Sequence, residues 1–110
     1  NRDIEGIPDE LKDHKAAKAY YGTFRIILGN DYFETIDFED HKKLVTEAFS
    51  IDEVVKTAIA EHSLNPQSIE AEIRKGLLPR LFSLFGLDKA KDVIERIIQI
   101  IRFRMSIGGN

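Results

Sequence analysis

A chain of 110 residues, 43% apolar and 32% charged, has the balance of one soluble domain with a modest core. It contains no cysteine, which excludes a disulfide scaffold, thiolate metal sites and cysteine nucleophiles, and fits a reducing, cytoplasmic setting. The net charge of −3 is unevenly spread: residues 1–73 hold eight Lys/Arg against sixteen Asp/Glu, and residues 74–110 hold eight against three.

Such a split reads either as two oppositely charged solvated faces or as the footprint of an electrostatic partner. No apolar run has the length of a membrane span, and no signal-peptide pattern opens the chain, so no membrane partner is expected. The first residue is Asn1 and the only methionine is Met105, so the chain is expected to be a fragment of a larger polypeptide or a processed product.

Helical periodicity dominates, and the expected fold class is all-α: a single domain over residues 1–110, a compact bundle of about four to six helices. The first helix is expected from about Pro8 to Leu28. Pro8 suits a first turn, and Asp9 and Glu10 suit the positive end of the helix dipole. Ala16, Ala19, Tyr20, Thr23, Phe24, Ile27 and Leu28 share one face, and Gly29-Asn30 ends the helix. Gly22 lies inside it at a cost of about 1 kcal/mol relative to alanine, which close packing by another element would explain.

The second helix is expected to begin at Asp37 as N-cap, with Asp40 at the third helical position. Its stripe is Leu44, Val45, Ala48, Ile51, Val54, Val55, Ala58 and Ile59. One long helix is the preferred reading; a break capped by Ser50 is the alternative. The third helix is capped by Asn65, with Pro66 in its first position and Ile69, Ile73, Leu77 and Leu78 on its buried face. Pro79 lacks an N–H and clashes with the preceding turn, so this helix is expected to kink or break near Leu78, with Gly86 closing the segment after it. The fourth helix is expected to start at Asp88 as N-cap. Ala90, Val93, Ile94, Ile97, Ile98, Ile101 and Met105 give it a wide apolar face, and "SIGGN" is expected to fray.

The chain carries little catalytic chemistry. His14, His41 and His62 lack metal-ligand spacing and read as surface histidines. The carboxylates of "DELKD" and "DFED" suit helix starts better than a metal. There is no phosphate-binding loop, no glycine-rich nucleotide fingerprint and no G-x-S-x-G, so no catalytic residue, metal or cofactor is expected in this piece. Tyr20, Tyr21, Phe24, Tyr32, Phe33 and Phe38 form an aromatic set, read as packing in preference to base stacking. The basic residues suit a functional reading better. A break at Pro79 would let Arg74, Lys75 and Arg80 converge beside the flank of the last helix, as phosphate contact requires. The competing reading is that they are solvated, or pair with Glu70, Glu72 and Asp92.

The stretch "NPQSIEAEIRKGLLPRLFSLFGLDKAKDVIERIIQIIR" closely resembles the C-terminal segment of the motor (R) subunits of type I restriction–modification enzymes, in their IC-like branch. The family pattern is met at Asn65-Pro66-Gln67, Ile69-Glu70-Ala71, Ile73-Arg74-Lys75, Leu77-Leu78-Pro79 and Lys89-Ala90-Lys91. "AAKAYYGTF" is similar to the tyrosine-tyrosine-glycine stretch upstream, so the resemblance runs from about Ala16 to Arg102. The tail "FRMSIGGN" departs from the pattern, and Arg104 is not carried over.

The resemblance implies a piece of an ATP-dependent DNA translocase and endonuclease, whose ATP, Mg²⁺ and nuclease motifs lie outside this chain. It implies docking to the methyltransferase core (M and S subunits) and sequence-independent contact with duplex DNA. The residues expected at DNA are Arg74, Lys75, Arg80, Lys89, Lys91, Arg96 and Arg102. Those expected at protein partners are Tyr20, Tyr21, Asn65 and Pro66. The alternative is a purely structural helical module that binds protein without touching DNA.

Overall fold

The computed structural model describes residues 11–62 and 65–108, and every regular α or β element among them is an α-helix. The five are α1 (Lys15–Leu28), α2 (Asn30–Thr35), α3 (Phe38–Glu61), α4 (Pro66–Phe85) and α5 (Leu87–Gly108). The expected all-α class is therefore met. Residue contacts divide the chain into two units between Glu53 and Val54, within α3.

In the first unit α1 starts later than expected, at Lys15. Pro8, Asp9 and Glu10 lie outside the described residues. The N-cap is His14, whose Nδ1 accepts the Ala17 N–H at 3.2 Å. A histidine read as a surface residue thus satisfies one of the helix's first N–H groups, which have no partner within the helix. Its Nε2 lies 3.4 Å from Asp52 Oδ2, and its ring meets Phe49 edge-on. The helix ends at Gly29, where φ of 87° suits a residue without a side chain. The Gly29 N–H donates to the Arg25 carbonyl at 3.0 Å.

The chain does not stop there. It turns into α2, a short helix that sequence reading missed, packed on α1. Arg25 holds the turn, with its guanidinium donating to Asn30 Oδ1 at 3.3 Å and lying 4.7 Å from the centre of the Phe33 ring.

Tyr21 is the hub of the aromatic set. It makes edge-on contacts with Phe24, Phe33 and His41, and its hydroxyl is hydrogen-bonded to His41 Nε2 at 2.8 Å. Phe38, grouped with these by sequence, is instead 71% exposed with Lys42 Nζ over its ring. Gly22 is not a point of close approach. Among the described residues, and apart from its own helix backbone and chain neighbours, nothing lies within 4 Å of the place a Cβ would occupy. Gly22→Ala is accordingly expected to stabilise the protein by about 0.5–1 kcal/mol, measured by thermal unfolding. A loss of stability would show that the position needs glycine.

α3 is one continuous helix of 24 residues, without a break at Ser50. Asp37 begins it as expected, its Oδ1 accepting the Asp40 N–H at 2.9 Å. Leu44, Val45, Ala48, Ile51, Val55 and Ala58 of the expected stripe are buried.

The second unit contains the end of α3 with α4 and α5. Asn65 caps α4 by accepting the Ser68 N–H at 3.1 Å, and Pro66 takes the first helical position. The expected break at Pro79 does not occur, since α4 is one helix of 20 residues with Pro79 inside it. Pro79 is exposed, so its ring sits on the open side of the helix. The lost N–H bond is a local cost that Leu77 and Leu81, buried on either side, outweigh by packing.

The close approach belongs to Gly76. A Cβ there would lie 3.1 Å from Val54 Cγ1. Gly86, at φ 84°, separates α4 from α5. The Ala90 N–H donates to the Gly86 carbonyl, so α5 starts at Leu87, and Asp88 falls in its first turn instead of serving as the expected N-cap.

α4 and α5 pack extensively on each other. Their buried residues are Ile69, Ile73, Leu77 and Leu81 from α4, and Ala90, Val93, Ile94, Ile97, Ile98 and Ile101 from α5. α5 continues through Ser106, Ile107 and Gly108 of "SIGGN", where fraying was expected; the Met105 side chain and the last two residues lie outside the described residues. No described helix is long and apolar enough to cross a membrane.

Candidate functional site: the charged edge of the α4–α5 pair

Two glutamates and two arginines alternate along one edge of this pair. Arg74 on α4 grips Glu95 on α5 with two hydrogen bonds, Nε to Oε2 at 2.8 Å and a terminal nitrogen to Oε1 at 3.0 Å. Arg102 on α5 grips Glu70 on α4 in the same way, at 2.7 and 2.8 Å. Glu70 also lies 3.9 Å from Arg74, one turn further along α4. The order Glu95, Arg74, Glu70, Arg102 alternates in sign and sums to zero. Bidentate arginine–carboxylate geometry is directional, so the network favours one register of α4 against α5 more than it adds stability.

The arginines hold both carboxyls below the usual glutamate range. For each, the largest cause is the hydrogen bond from its arginine, Arg102 for Glu70 and Arg74 for Glu95. A depressed folded-state value means stability that is complete above the ordinary glutamate value of about 4.3, and lost as pH falls through the folded-state values. Glu70 is only 18% exposed, but Glu95, Arg74 and Arg102 are about half in water, so solvent screens the pairs and the effect is modest. Thermal melts between pH 7 and 3 should show Glu70→Gln losing less stability over that interval than the parent. Equal losses would mean that the pair is not linked to folding.

The residues expected at DNA fall into separate groups. Because α4 continues through Pro79, Arg74, Lys75 and Arg80 keep helical spacing at about 100° per residue and point in three directions. The expected convergence of the three is therefore absent. Arg74 and Arg102 are occupied by glutamates within the chain.

On α5, Lys91 and Arg102 fall on the edge beside Arg74, while Lys89 and Arg96, seven residues apart, fall on the opposite flank. Lys75, Arg80, Lys89, Lys91 and Arg96 are all exposed. Of the residues expected at protein partners, Asn65 and Pro66 are exposed and begin α4. Tyr20 and Tyr21 are fully buried, so as placed here neither presents a surface to a partner.

Sequence reading missed Glu95 as the partner of Arg74, having named Glu70, Glu72 and Asp92. The spacing of Glu70 and Arg74 was a visible signal; the Glu95 pairing depends on the register of two helices. Also missed was a pocket of about 210 Å³, lined by Arg74 and Leu78 of α4 and by Lys91, Ile94 and Glu95 of α5.

Large apolar side chains are exposed near the α4–α5 turn, Phe82 at 54% and Leu87 at 46%, and further along α5 at Phe103. No cluster of three or more His, Asp or Glu suited to a metal occurs among the described residues. No protein-family model, curated protein or solved structure matches the chain.

Proposed function

We propose that this chain is a helical docking module of a type I restriction–modification motor subunit, joining that subunit to its methyltransferase core by protein–protein contact. The reading rests on the residue pattern from Ala16 to Arg102. The observation that favours docking over phosphate contact is the pairing of Arg74 and Arg102 with Glu95 and Glu70. Those two cations are neutralised within the chain, and a phosphate would have to displace a bidentate carboxylate to reach either. Exposed Phe82 and Leu87 supply apolar surface of the kind a protein partner covers. The module itself performs no catalysis in this reading; ATP, Mg²⁺ and the cutting of DNA belong to other parts of the parent subunit, in the cytoplasm.

Sequence-independent DNA contact is a second reading, supported by Lys75, Lys89 and Arg96, which are exposed on surfaces away from the paired edge. Salt separates the two, because duplex DNA binding weakens with a slope of about −0.9 per phosphate contacted.

The test is to delete residues 16–102 from the parent and titrate it against the methyltransferase core by sedimentation. Weakened assembly is the expected result, and unchanged affinity and stoichiometry would refute docking. In parallel, Lys75→Glu with Arg96→Glu should leave the parent's DNA affinity and salt slope unchanged if the module binds only protein. A flatter slope would establish the second reading.

A further inference from the structure

The pocket beside the paired edge has a definite chemistry. Leu78, half-buried, and Ile94, almost wholly buried, give it an apolar surface. Its charged lining is Arg74, Lys91 and Glu95. Arg74 and Glu95 cancel one another through their two hydrogen bonds, which leaves the charge of Lys91 uncompensated in the lining. At about 210 Å³ the pocket is the size of one large aliphatic or aromatic side chain and too small for a drug-sized ligand.

We infer that this pocket receives a single large apolar side chain of a partner protein, presented next to a carboxylate that pairs with Lys91. The partner element is an acidic amphipathic segment. This names the partner chemistry of the docking reading above and rests on it.

Two features set the choice of partner. The apolar surface of Leu78 and Ile94 offers a phosphate backbone nothing, which argues against nucleic acid here. The one uncompensated lining charge is positive, so a basic segment would meet repulsion and an acidic one attraction. The Arg74–Glu95 pair holds one wall of the pocket in place, so it positions the binding surface without being consumed by the ligand.

The test uses the whole chain, immobilised and panned against a random linear peptide library, followed by titration of the winning peptide. The expected winners place Asp or Glu next to Leu, Ile or Phe. Lys91→Glu should weaken the winning peptide roughly tenfold, as reversal of one exposed charge pair implies, and Leu78→Gln should weaken it further. Both positions retain some exposure, and circular dichroism of each variant checks that the helices persist.

Selection of basic peptides, or of none, would overturn the proposal, as would full binding by Lys91→Glu. Displacement of the peptide by a duplex oligonucleotide would assign the pocket to phosphate instead. The docking reading is judged separately, by assembly of the deleted parent. If that deletion abolishes assembly while panning yields no acidic–apolar motif, docking stands and this pocket is not its seat.

Discussion

Truncating Ile97 to alanine is expected to cost about 2–5 kcal/mol, the range for removing a buried aliphatic side chain together with the cavity it leaves. Ile97 is fully buried on the apolar face of α5, between Val93 and Ile101, which are buried as well. Its cost should fall at the upper end if the neighbours cannot close in. β-branched side chains have few rotamers with which to do so, and Ile98, Ile101 and Val93 are all β-branched. A domain of this size has a total stability of the order of 5–15 kcal/mol, so the variant should be largely unfolded in moderate urea where the parent is folded. Gln99→Ala, two residues away and exposed, is the control and should stay within about 0.5 kcal/mol. A loss below about 1 kcal/mol at Ile97 would mean that the α4–α5 contact is not a tightly packed core.

Pro79→Ala should do the opposite and stabilise the protein by about 2 kcal/mol. Proline in a helix interior is about 3 kcal/mol worse than alanine, and α4 runs through Pro79 without interruption. Part of that gain is returned, because alanine loosens the unfolded chain by about 0.4–1 kcal/mol. Pro79 is exposed, so its removal leaves no cavity. Urea melts of the two proteins measure the difference. An unchanged or lower midpoint would show that α4 accommodates the proline, and that the packing of Leu81 and the residues after it depends on its ring.

The paired edge also decides which variants can report on DNA. Reversing the charge of Arg74 would set it against Glu70 while leaving Glu95 without its partner. A change in DNA affinity would then report a disturbed α4–α5 register as readily as a lost phosphate contact. Lys75 and Arg96 stand outside that network and test DNA contact alone.

Much of the fold is legible in local chemistry. The Asp37 and Asn65 caps and Pro66 each act through a side chain or ring on backbone groups within a few residues, so their identity predicts their role. The stripes of α3 and α5 follow from period 3.6 alone, and most of their positions are buried; Val54 and Ile59 of the α3 stripe are only half-buried. Local signals fail where a neighbour distant in sequence decides the outcome. His14 caps α1 while facing Asp52, a residue distant in sequence that no local pattern around His14 signals. Gly22 has the look of a packing glycine and Gly76 is one, because only the approach of Val54 distinguishes them. Pro79 has a strong local preference against helix, yet burial of Leu77 and Leu81 on either side carries α4 through it.

The candidate site divides in the same way. Which residues are cationic is written in the chain. Which of them remain available to a partner is decided by the antiparallel register of α4 and α5. That register puts Glu95 against Arg74 and Glu70 against Arg102, and leaves Lys91 beside an apolar pocket. Pairing of charges 21 and 32 residues apart is a property of how two apolar faces fit, and no local pattern in either helix encodes it.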